Sequence, residues 1–141
     1  MNTSKPIYPY RHTITIQDSD IDVLNHVNNE VYLRWLIEAA VAHSESLGMN
    51  FEKCYELGHA FVVKRHELDY RAPALRMDSL EVHTWTDPVT GAKCLRHYEL
   101  IRISDQKIIL QGSTIWVFIN LKTGRPTPIP ESIALLYSKI K

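Results

Sequence analysis

The residues able to do chemistry are concentrated in one stretch, Asp18-Ser19-Asp20-Ile21-Asp22-Val23-Leu24-Asn25-His26-Val27-Asn28-Asn29, which carries three carboxylates, an imidazole and three carboxamides. The adjoining segment reads as helix. Residues 29–45 contain neither Pro nor Gly, Glu30, Arg34 and Glu38 fall four apart and so make one narrow stripe, and from Val31 to Ala42 the rest is apolar or aromatic. Asn28 stands where an N-cap belongs, which starts the helix at Asn29 and puts Asp22 six or seven residues upstream of a helix N-terminus. The first amides of a helix have no intrahelical acceptor and carry the positive end of its dipole, so they form an oxyanion site by default. An aspartate carboxylate can attack an electrophile directly or deprotonate water. Together the two supply a nucleophile or base and a stabiliser for developing negative charge.

On residue types alone, the plainer reading of Asp22 is a turn-forming carboxylate that stabilises the helix start. Asp18 and Asp20 read as solvated turn residues, and Asn25 as a turn residue first and a substrate contact second. His26 is open to three roles: orienting the acid, bonding the turn backbone, or facing a substrate. Tyr32, Trp35 and Leu36 belong to a core, where one of them can touch a bound apolar chain. Arg71 and Arg76, beside Pro73, are the candidates for meeting a phosphate-bearing ligand. The seven histidines lack a metal-ligand spacing, so neither a metal nor another cofactor is expected.

A helix apolar on nearly every side has to be wrapped, and the rest of the chain offers strands to wrap it. Residues 1–9, with Pro6 and Pro9, are a lead-in, and residues 11–17 alternate as a half-buried strand with Ile14 and Ile16 inward. The helix ends near Gly48, and residues 49–58 are ambiguous, with room for a helical turn. Residues 59–70 are rich in β-branched and aromatic side chains and close at Ala72-Pro73, giving a second strand. Residues 77–86 form a third, with Leu80, Val82 and Thr84 on one face and Glu81, His83 and Trp85 on the other. Residues 93–104 and 107–120 make a hairpin about Asp105-Gln106. After Pro128 and Pro130 a short helix from Glu131 carries Ile133, Leu136, Tyr137 and Ile140 at helical spacing. Strand, long helix, then four strands is an α+β order in which an antiparallel sheet curls around one helix.

At 141 residues the chain reads as one domain spanning residues 1–141, and 45% apolar against 23% charged residues is a globular composition. Its formal charge of zero leaves no global field to steer it onto nucleic acid or a membrane. The N-terminus lacks an apolar targeting core and no run reaches the length of a membrane span, which points to a cytoplasmic protein. Cys54 and Cys94 are too few for a disulfide framework and read as buried thiols. A long sheet edge calls for pairing, so a homo-oligomer is expected.

The element order, together with Asp22-Val23-Leu24-Asn25-His26-Val27-Asn28-Asn29 and Tyr32, resembles the hotdog-fold acyl thioesterases, specifically the 4-hydroxybenzoyl-CoA thioesterase-like family. Asp69-Tyr70-Arg71-Ala72-Pro73-Ala74 is similar to that family's second-strand ending, and Thr123-Gly124-Arg125-Pro126 to its final turn. The resemblance implies a hotdog fold and hydrolysis of an acyl-CoA thioester. It implies Asp22 as the catalytic acid, the backbone amide of Asn29 as the donor to the thioester carbonyl, and His26 beside them. It also implies a homodimer or homotetramer with sites near the subunit interface. Thioester hydrolysis suits these groups, because a thiol of pKa about 8.5 departs as thiolate without a strong general acid. Plant acyl-carrier-protein thioesterases have Asn two residues after the acid where this chain has Leu24, which favours coenzyme A as the carrier. The competing readings are a non-catalytic acyl-thioester-binding module on the same fold, an acyl-carrier-protein thioesterase, and a hydratase or dehydratase of acyl thioesters.

Overall fold

Asn28 does cap the central helix. The computed structural model describes residues 5–138, and in it α1 (Asn29–Ser46) starts where the Asn28 carboxamide oxygen accepts from the Glu30 amide at 3.2 Å. It stops where Leu47 caps it and Gly48 takes φ +92°, the left-handed conformation that glycine adopts at no steric cost. Eighteen residues make a rod ~27 Å long.

Against this rod lies one antiparallel sheet of five strands: β1 (Tyr10–Ile14), β2 (His59–Tyr70), β3 (Leu80–Thr86), β4 (Lys93–Arg102) and β5 (Lys107–Asn120), in the spatial order β1-β3-β4-β5-β2. Two short helices, α2 (Phe51–Glu56) and α3 (Glu131–Tyr137), complete the α+β chain. Ile14, Leu80, Val82, Leu100 and Leu110 of the sheet form the main core with Val31, Trp35, Leu36 and Ala39 of α1. The approach is close at Gly112. A Cβ there would lie 2.8 Å from the Glu67 carbonyl oxygen and 2.8 Å from Leu68 Cδ2, and 3.7 Å from Leu36 Cδ1. A second cluster, Met49, Cys54, Cys94, Phe118 and Ile129, packs under Ile133 and Leu136 of α3. Both cysteines are buried free thiols, as their context implied, and burial pushes Cys94 up to about 11, so it is no nucleophile.

Four expectations change, the smallest being that β4 ends at Arg102 rather than at residue 104, where the chain turns toward Lys107. β1 ends at Ile14 rather than at residue 17, because Ile14 pairs with Leu80, the first residue of β3, and has no partner strand beyond it; Ile16 still packs against the core. β3 begins at Leu80 rather than at residue 77, because residues 75–78 turn instead, with the Asp78 amide on the Leu75 carbonyl and the Leu75 amide on the Asp78 carboxylate, both at 2.9 Å. Finally, α1 is not wrapped on every side. Arg34, Glu38, Val41 and Glu45 are exposed and Leu33, Ile37 and Ala42 half-buried, because a single five-stranded sheet covers one side of a helix. The opposite face of the sheet is covered in part: Lys5 Nζ sits 2.9 Å from His83 Nδ1 and 5.8 Å from the Trp85 ring centre. Ile140, expected on the last helix, lies outside the described residues, as do residues 1–4 of the lead-in.

Candidate active site

Ahead of α1, Ile21 and Val27 pair as an antiparallel bridge, which forces residues 22–26 into a tight loop. The Asp22 amide donates to the His26 carbonyl at 2.8 Å and the Asn25 amide to the Asp22 carbonyl at 3.0 Å. Asn25 sits at the tip with φ +61°, a left-handed conformation that Asn tolerates better than most residues. Asp22 Oδ1 accepts from the Leu24 amide at 2.9 Å and the His26 amide at 3.2 Å. Its other oxygen has no hydrogen bond among the described residues. One oxygen thus holds the turn, as the plainer reading of Asp22 has it, and the other is unengaged among the described residues. The His26 ring likewise makes no hydrogen bond among the described residues, and the side chain is half-buried.

The turn is pinned from behind. The Val27 amide donates to the Ala74 carbonyl at 3.0 Å, His26 bridges to Leu75, and the Ala74 amide donates to the Tyr32 hydroxyl at 3.0 Å. Tyr32 is 5% exposed and meets Tyr70 edge-on at 5.5 Å. Burial raises its phenol above the usual range, and the charge of Asp22 adds to that rise, which puts Tyr32 within electrostatic reach of the carboxylate. Arg76 pairs with Asp18 on the exposed flank of the same turn. Arg71 follows Tyr70 at the end of β2, exposed, with its amide donating to the Ile109 carbonyl at 2.9 Å. The fold thus brings Asp22, Asn25, His26, Asn29 and Tyr32 to one end of α1 and sets both arginines on its border.

The first amides of α1 are not equivalent. The Asn28 side chain takes the Glu30 N–H, and the Asn28 carbonyl takes the Val31 N–H at 3.0 Å. The Asn29 N–H has no intrahelical acceptor and no other partner among the described residues. Of the Asn29, Glu30 and Val31 amides it alone is unengaged among the described residues.

Asp20 is the residue that sequence reasoning missed. Expected as solvated, it is 1% exposed. Its Oδ2 accepts from the Gln17 amide at 2.8 Å, its Oδ1 from Arg34 Nη2 at 2.6 Å, and its carbonyl from the Asn28 amide at 2.7 Å. It therefore ties the start of α1 to the turn before it. No local pattern couples position 20 to position 34, so nothing in the chain order could have revealed the pair.

A model of the thioesterase-like superfamily matches residues 16–135. The chain belongs to the thioesterase-like superfamily. That membership makes it a thioester hydrolase by class. Among proteins similar to this superfamily member is the long-chain acyl-CoA thioesterase FadM of Escherichia coli, 27% identical over 115 residues that cover 79% of this chain and 84% of FadM. A Thermus thermophilus thioesterase solved with coenzyme A and zinc superimposes with a TM-score of 0.76, at 26% identity and 90% coverage of both chains. The 1,4-dihydroxy-2-naphthoyl-CoA thioesterase of Synechocystis has a TM-score of 0.85 at 18% identity, covering 92% of this chain and 96% of that one, a likeness of fold. The expected hotdog architecture is met by these superpositions. Among the described residues no three His, Cys, Asp or Glu side chains group as metal ligands, and no helix is long and apolar enough to cross a membrane.

Proposed function

We propose that this superfamily member hydrolyses an acyl-CoA thioester to the free acid and coenzyme A at the N-terminus of α1. The observation that carries the reading is the division of labour at that end: the Asn29 N–H is left without an acceptor while its neighbours are capped, and Asp22 keeps one oxygen out of the turn's hydrogen bonds. The thioester carbonyl would take the Asn29 N–H, which gains strength as negative charge develops on oxygen. Asp22 would take a proton from the attacking water, or would attack the carbonyl carbon itself to give, once the thiolate has left, a mixed anhydride that water opens to the free acid and the restored carboxylate. The coenzyme A thiolate then leaves without protonation in the rate-determining step. His26 and Asn25 border this centre, Tyr32 supports it from the core, and Arg71 and Arg76 face the phosphates of the carrier.

Coenzyme A as carrier is supported by FadM and by the coenzyme A-bound Thermus enzyme. We further propose a cytoplasmic location and a homodimer or homotetramer, the assembly because β2 is a twelve-residue edge strand with exposed Val62 and Val63 and nothing paired to its outer side among the described residues. The deciding experiment incubates the protein with alkyl- and aryl-CoA thioesters and follows free thiol. Release of thiol at catalytic rates supports the reading, and tight binding of every thioester without thiol release replaces it with a binding module. Sedimentation at micromolar concentration reads the assembly, where an active monomer would refute the oligomer.

A further inference from the structure

About 16–22 Å along α1 from Asn29, the helix borders a cavity of ≈ 220 Å³ lined by Ala40, Val41, Ser44, Phe61, Trp116 and Arg96, among others. An apolar cavity of ~150 Å³ admits benzene, so this one has room for on the order of nine non-hydrogen atoms. Its walls are mostly apolar, and the polar side chains among them are the Arg96 guanidinium, the Cys94 thiol and the hydroxyls of Ser44 and Tyr137, which bond each other at 2.6 Å. Arg96 is only 3% exposed. Its Nη1 donates to His43 Nδ1 at 2.9 Å and Thr84 Oγ1 at 3.0 Å, and its Nη2 to Ser44 Oγ at 3.4 Å. All three acceptors are neutral, since a ring nitrogen that accepts from arginine carries no proton. Arg96 forms no ion pair among the described residues. Asp20, as deeply buried, has Arg34.

A buried charge without a counter-ion is costly. Part of the cost is offset by the end of α1, since His43 and Ser44 lie in its last turns, where the carbonyls carry about half a negative charge. The rest of the positive charge faces the cavity. The wall thus sets a mostly apolar surface beside one buried guanidinium.

We propose that this cavity binds a carboxylate borne on an apolar chain, with Arg96 as its counter-ion and Phe61 and Trp116 enclosing the chain. The carboxylate has two candidate sources, a free medium-chain acid or the distal end of a dicarboxylic acyl thioester. The site goes beyond the hydrolysis proposed above and does not depend on Asp22.

Calorimetric titration of the full-length protein with octanoate and with 1-octanol tests it. Octanoate should bind about tenfold or more tighter than octanol. Arg96→Met, which keeps the bulk and removes the charge, should erase that preference. Val41→Trp should block both ligands, because Val41 is partly exposed and forms part of the lining, so its enlargement need not disturb the core. Equal binding of octanoate and octanol to the unaltered protein overturns the proposal, as does undiminished octanoate binding by Val41→Trp or by folded Arg96→Met. Should Arg96→Met fail to fold, the octanol comparison and Val41→Trp decide alone. Comparing kcat/KM for hexadecanoyl-CoA and the mono-CoA thioester of hexadecanedioic acid, whose chain is long enough to run from the Asn29 end of α1 to Arg96, assigns the source: preference for the diacid that Arg96→Met abolishes identifies the distal carboxylate, and no preference identifies the free acid. Asp22→Asn should bind octanoate like the unaltered protein, so loss of hydrolysis and loss of this site are read separately.

Discussion

At the N-terminal end of α1 the polar groups are held by backbone and left near water: Asp22 and His26 are half-buried, and Asn25, Asn28 and Asn29 are exposed. At the C-terminal end they are enclosed and hydrogen-bonded to one another, with Arg96 on His43, Thr84 and Ser44, and the Tyr137 hydroxyl on Ser44 Oγ at 2.6 Å, so that only the net charge of Arg96 is left without a partner of opposite sign among the described residues. The first arrangement keeps a carboxylate oxygen and an amide unspent. The second spends nearly every group on tying α1 to β3, β4 and α3. A carboxylate that must react loses little by staying hydrated, whereas a side chain that bridges elements gains most where water cannot compete. Changes at the first end should therefore remove activity and spare stability, and changes at the second should do the reverse.

The hardest test of that contrast is Asp22→Asn. Asn can still accept the Leu24 and His26 amides through its oxygen but cannot serve as a base, so kcat should fall about 10² to 10⁴-fold with the melting temperature nearly unchanged. A variant keeping more than half of the original kcat in a thiol-release assay would remove Asp22 from the mechanism. Next comes the amide. Proline is well tolerated at the first helical position, so Asn29→Pro should delete the N–H at small structural cost and lower kcat about 10² to 10³-fold, while Asn29→Ala should change it little. Equal kcat for the two variants, each shown folded by circular dichroism, would exclude that amide.

Two smaller effects probe stability. At Gly112 an added methyl group meets backbone oxygen at 2.8 Å, so Gly112→Ala should destabilise by about 1–3 kcal/mol in denaturant unfolding. An unchanged unfolding midpoint would mean that α1 and β2 can yield there. Tyr137→Phe removes the hydroxyl that reaches Ser44 and should cost about 0.5–1.5 kcal/mol with kcat intact. Loss of kcat without loss of stability in that variant would show that the two ends of α1 are coupled and would break the contrast.

Much of the fold was legible because it rests on local rules. The Asn28 cap, the Gly48 terminus, the limits of β2 and the Asp105-Gln106 hairpin follow from residue preferences acting within a few positions. The ends of β1 and β3 were not legible, because each is set by where its partner strand stops, and pairing is decided between residues 66 or more positions apart. Within the candidate site, the chain order placed Asp22 and His26 just ahead of the helix start, where the structure has them.

Which Asp22 oxygen is engaged, and which of the first amides is left over, were decided by the loop that closes between Ile21 and Val27. Asp20 and Arg96 lay beyond any reading of the chain, since their partners sit 14 and 53 positions away. Sequence by itself determined the helix, its cap and the alternation of the strands, because those depend on backbone sterics and on which face of each element is apolar. Only the tertiary structure decided which charges are buried and with what partner, because desolvation and Coulomb attraction act through space, and no spacing along the chain encodes the distance between Arg96 and the end of α1.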